Sequence, residues 1–153
     1  MESLFGLPSH PLFVHLPIVI VPLATMGAMG LATWPQSRQR LSNWLAALTG
    51  IGLVGTFLAT QSGEALNDVG GDRGLADTHE RLAGQTLVLV ALFFIATVIT
   101  AIADRFSDGG DGSLRLPATV LSVGSALLGL AASWWMIRTG FEGTSLVWGD
   151  ETD

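Results

Sequence analysis

The sequence has no cysteine and no lysine, and charged residues make up only 13% of its 153 positions. Each shortage excludes something. Without cysteine the chain itself forms no disulfide, ligates no iron–sulfur cluster and attaches no c-type haem. Soluble domains carry roughly 25% charged residues, so about half the charge that a water-facing surface needs is missing. No basic residue precedes Arg38, so the first apolar run lacks the basic leader of a cleavable signal peptide and is expected to remain in the protein. The net charge of −6 offers no basic surface to a nucleic acid.

What is present instead is apolar. Hydrophobic residues reach 49%, and four runs, 11–37, 41–63, 82–103 and 116–137, contain no Asp, Glu, Lys or Arg. Each exceeds the roughly 20 residues that cross a hydrocarbon core of about 30 Å. A backbone in lipid must satisfy its own hydrogen bonds, so helices are the expected form. The pattern predicts an all-α fold, a four-helix transmembrane bundle with up-down topology and short loops. It predicts one integral membrane domain over 1–153, with spans at about 11–34, 41–60, 82–103 and 117–138.

Local signals set the expected ends. Ser9 can cap the first helix, with Pro11 in its first turn, and Trp34-Pro35 ends it. Residues 36–40 then read as a connection. The polar stretch 61–81 extends the second helix by about one turn, and Asp77 or Thr78 reads as the N-cap of the third. Asp104-Arg105 closes the third helix, 107–113 is a loop, and 139–143 reads as a turn after the fourth. Small residues recur as Ala24, Gly27, Ala28 and Gly30, as Gly50, Gly52 and Gly55, and as Gly124, Ser125 and Gly129. These are expected to be close helix contacts.

Alternating spans bring the start of helix one, the end of helix two and the start of helix three to one membrane face. All three histidines, His10, His15 and His79, therefore share that face with Glu64 and Glu80. The opposite loops hold Arg38, Arg40, Arg105 and Arg115, and the histidine face holds Arg73, Arg81 and Arg138. That excess points the histidines and both termini away from the cytoplasm of a bacterial inner membrane. His10 and His15 are five residues apart, which turns them by about 140° and separates them by about 7.5 Å along a helix. His10 belongs to the rim. His15 is deeper, needs a partner, and is expected to lie level with His79.

Two kinds of ligand suit these groups. A b-type haem takes two axial imidazoles from facing helices, here His15 and His79 with His10 nearby. Alternatively His10, His15 and His79 with Glu64 or Glu80 could hold a zinc, iron, manganese or copper ion. A third reading is bland: polar interfacial caps on a cofactor-free accessory subunit, packed through its small residues into a larger membrane complex or a homo-oligomer.

One resemblance bears on the choice. The run His10-Pro11-x-x-Val14-His15-x-Pro17-Ile18 is similar to the opening signature of the small bacterial membrane proteins grouped as domain of unknown function 2231. Ser62-Gly63-Glu64-Ala65, His79-Glu80 and Thr139-Gly140-x-x-Gly143-x-x-Leu146-Val147-Trp148 continue the likeness in order. The family has no established activity, but relatives occur fused to Rieske-type or cytochrome c domains. The resemblance thus implies membrane electron transfer, with quinol or a redox protein as partner and haem b as the first-named cofactor. Many relatives carry histidine where this chain has Phe141, so the ligand set carried over is His10, His15, Glu64, His79 and Glu80 alone.

Overall fold

Trp34 is the only residue between the first two long helices, and the reason is local. Proline disfavours the helical region for the residue before it and is itself well suited to a helix's first position. The Trp34 amide still donates to the Gly30 carbonyl at 2.9 Å, and the Trp34 carbonyl accepts from the Ser37 amide at 3.1 Å and the Ser37 hydroxyl at 2.8 Å. The break is thus sealed on both sides. The helices are α1 (Ser9–Thr33), α2 (Pro35–Asn67), α3 (Arg73–Ser107) and α4 (Arg115–Trp148), preceded by a two-residue antiparallel pair, β1 (Ser3–Leu4) with β2 (Leu7–Pro8). This computed structural model describes residues 3–4, 7–67, 73–107 and 115–148, and side chains over 14–38, 40–63, 78–106 and 118–142.

Each helix packs on its neighbours in the chain, and α1 also packs on α4. The result is a closed up-down bundle with α1 diagonal to α3. Its membrane-crossing parts are Val14–Thr33, Arg40–Gly63, Thr78–Phe106 and Ala118–Glu142. The helices themselves are longer, at 25, 33, 35 and 34 residues. That corrects several expected ends. Residues 36–40 are the first turns of α2 rather than a connection, α2 runs to Asn67, Asp77 and Thr78 lie inside α3, and 139–143 continues α4. Charge in this sequence marks where the hydrocarbon ends. It does not mark where the helix ends, because the backbone ladder persists into water.

The interior is inverted relative to a water-soluble bundle. Hydroxyls face inward: Thr25, Ser42, Thr49, Thr56, Thr86, Thr97, Thr100, Ser122 and Ser125 are all buried. Large apolar side chains such as Met26, Val54, Val88, Val120 and Leu127 face outward. Lipid is the solvent that accepts such a surface, so helix association relies on close packing and polar links. Thr25–Ser133, Thr49–Thr97, Thr86–Thr139 and Thr100–Ser125 join helices at 2.8–3.2 Å.

The glycines divide by role. A Cβ on Gly55 would meet Leu16 at 3.0 Å and Pro17 at 3.2 Å, and one on Gly129 would meet Thr25 at 2.7 Å and Phe93 at 2.9 Å. These are the close contacts expected of small residues. Gly30 and Gly124, expected in the same role, have nothing within 4 Å of a Cβ and do not serve it.

Candidate functional site at the histidine end of the bundle

The inward face of α3 runs through Leu82, Thr86, Val90, Phe93, Thr97, Thr100 and Asp104, all buried. Steps of three and four residues keep one stripe of a helix on one side. Extending the stripe by three residues above Leu82 reaches His79. It is partly buried, and its Nδ1 is shielded from solvent without a hydrogen-bond partner. Glu80, one residue on, is exposed. Below the histidine, the Thr86 and Thr139 hydroxyls meet at 2.9 Å, and the Trp135 indole N–H donates to the Gln85 side-chain oxygen at 3.0 Å. The Arg138 guanidinium lies 5.6 Å from the centre of the Trp135 ring. This end of the α3–α4 pair is thereby fixed beneath His79.

His15 is on the other side of its helix. The packed face of α1 passes through Pro17, Val21, Ala24, Thr25, Ala28 and Leu31. Two residues before Pro17 is a rotation of about 200°, and His15 is exposed. It therefore does not share an inward face with His79, and the two helices are diagonal in the bundle. The side chains of His10 and Glu64 lie outside the described residues, although both positions are helical. Among the described residues, no group of three or more His, Asp or Glu side chains converges as a metal centre requires. Phe141 is exposed on α4.

A second polar cluster occupies the opposite end, and the sequence reading missed it. Arg38 and Asp104, read as a loop residue and a helix stop, form an ion pair with Nε and Oδ1 3.9 Å apart and side chains 8% and 5% exposed. Arg38 Nη1 also donates across the bundle to Ser122 Oγ at 3.3 Å, and Ser122 donates to the Ala118 carbonyl at 2.8 Å. Arg38 thus ties α2 to both α3 and α4. Next to it, Ser42, Thr97, Thr100, Ser122 and Ser125 line a cavity of about 10 Å³, near the smallest that holds one water. The signal was available in the sequence. Thr86, Val90, Phe93, Thr97, Thr100 and Asp104 keep steps of three and four, so the polar members had to share one face.

Between the two ends the core is mainly apolar, with the Thr25–Ser133 link set within it. Val21, Val90 and Ala132 form one buried cluster, and Ala24, Ala28 and Phe93 belong to another. On α3 the nearest inward hydroxyls across this layer are Thr86 and Thr97, eleven residues apart, or about 16 Å along the axis. No continuous hydrogen-bonded path along that stripe links the histidine end to the Arg38–Asp104 end.

The bundle is an integral membrane protein embedded in the lipid bilayer. No curated protein and no solved structure matches the chain. Its four apolar helices and histidine motifs agree with one family profile, which matches residues 6–153: the chain belongs to the family described as predicted membrane protein, domain of unknown function 2231.

Proposed function

We propose that this chain is an electron-transfer subunit of the membrane that holds a transition-metal ion at its histidine end, with His79 as the central ligand. The observation that carries the reading is the shielded, unpartnered Nδ1 of His79. A buried nitrogen without a hydrogen bond costs about 1–3 kcal/mol, and such a group calls for an occupant. A metal ion satisfies an imidazole nitrogen directly.

Helix arithmetic supplies the companion. Position 10 lies seven residues before Pro17, about 20° from it around α1, in the register of the packed stripe, whereas position 15 is nearly opposite. His10 is therefore the better second imidazole, and Glu64 in the last turns of α2 offers an acidic position on a helix packed against both α1 and α3. Mixed imidazole and carboxylate donors suit iron, copper, zinc or manganese. Iron or copper would supply single-electron chemistry, and the chain's contribution is to hold the ion above the Thr86–Thr139 link. The exchange partner is quinol or a redox protein on the extracytoplasmic side.

A bare ion suits this end better than haem b. A haem plane needs a slab of room beside its axial imidazole, and Leu82 and Thr86, one and two turns along the same stripe from His79, are buried. The deciding experiment is elemental analysis and an absorption spectrum of protein purified in detergent without immobilised metal. Near-stoichiometric iron or copper with no Soret band is expected, and zinc in their place would keep the metal site but overturn electron transfer. A Soret band would transfer the reading to haem b, and a protein with neither would overturn both.

A further inference from the structure

Arg38 and Arg40 are two residues apart on α2, and that rotation separates their fates. Arg38 turns inward, where it pairs with Asp104 and donates to Ser122. Arg40 turns outward and is exposed, and no carboxylate among the described residues pairs with it. It stands at the rim of a surface groove of about 930 Å³ at the junction of α1 and α2. Gly27, Gly30 and Leu41 form its apolar floor, and Gln36 shares the rim with Arg40. Ser37 is also there, but its hydroxyl is spent on the Trp34 carbonyl.

We propose that this groove is a binding site for an anionic phospholipid, with the phosphate on Arg40 and Gln36 and an acyl chain along the Gly27–Gly30 floor. Depth supports this. Gly27 and Gly30 belong to the membrane-crossing part of α1, and Arg40 begins that of α2. Trp34 and Trp44, 70% and 74% exposed, flank the rim, and tryptophan collects at the headgroup level. An apolar groove at that depth is filled by lipid, and a lone cation at its mouth selects an anionic headgroup. A second copy of the chain fits less well, since a two-fold contact through this groove would set one cationic rim against another. The site is at the opposite end from His79 and stands independently of the metal reading.

The test uses full-length protein, delipidated in detergent and supplied with phosphatidylglycerol, phosphatidylcholine or inorganic phosphate, with retained molecules read by native mass spectrometry. Wild type is expected to retain phosphatidylglycerol in preference to phosphatidylcholine. Arg40→Gln should weaken that retention about fivefold, the worth of one basic residue near an anionic surface. Gly30→Leu, whose new side chain enters open space in the groove, should displace both lipids. Gly124→Leu, equally open but on α4, should change nothing and so reports on folding. Equal retention by all four proteins would overturn the proposal. So would competition by inorganic phosphate with no effect of Gly30→Leu, or a dimer that Gly30→Leu converts to monomer.

Discussion

His79 and Arg38 are both inward polar residues near opposite ends of the bundle, and they differ in what satisfies them. Arg38 has a carboxylate 3.9 Å from its Nε and a hydroxyl on Nη1, with Nε itself making no hydrogen bond, whereas the shielded Nδ1 of His79 has neither among the described residues. Removing one member of a buried pair leaves an uncompensated charge. Arg38→Gln or Asp104→Leu is therefore expected to destabilise the bundle by about 3 kcal/mol or more, read from denaturant unfolding in detergent. The double variant Arg38→Met with Asp104→Leu, which removes both charges, should recover most of that loss. His79 should behave in the opposite way. In metal-stripped protein, His79→Leu removes an orphaned nitrogen and should raise stability by about 1 kcal/mol. A fall in stability would mean that the histidine is a structural residue already satisfied. At this scale the sequence identified the histidines as unusual but ranked His15 above His10. The direction of each side chain depends on which face of α1 packs. That face became visible only through Pro17, Val21 and Thr25.

Helix ends and helix contacts obey different signals. The number of helices was legible because four charge-free runs are each long enough to span. Their ends were not, because Asp77, Thr78 and Gly140 carry cap and turn chemistry that α3 and α4 override. A glycine in mid-helix costs about 1 kcal/mol relative to alanine, and the Thr86–Thr139 link holds α4 in place just before Gly140. Contact glycines were legible as a class and not one by one. Gly129 abuts the fully buried Phe93, with Thr25 closer still. Gly129→Ala should therefore cost about 1–3 kcal/mol as an overpacked core. Gly124→Ala, five residues earlier on the same helix and facing open space, should be neutral or stabilise by up to about 1 kcal/mol. Thermal unfolding of the two variants side by side checks both. Equal effects would mean that α4 does not approach Thr25 and Phe93 as described.

The whole molecule is a bundle with two polar ends and a mainly apolar middle. Apolar residues surround each helix, so the usual contrast between a core face and a water face is weak. This is why the sequence revealed a membrane bundle but not its inward stripes. The family resemblance was right, since the family model matches residues 6–153, while the Arg38–Asp104 end had no motif to announce it. The mainly apolar layer of Val21, Val90, Phe93 and Ala132 lies between the two ends. The central claim is that His79, on the inward stripe, holds that ligand and that outward His15 does not. The most direct measurement is the metal-to-protein ratio of wild type, His79→Ala and His15→Ala, purified identically in detergent. Wild type and His15→Ala are expected to carry the same near-stoichiometric metal and His79→Ala almost none. Loss of metal in His15→Ala with retention in His79→Ala would contradict it.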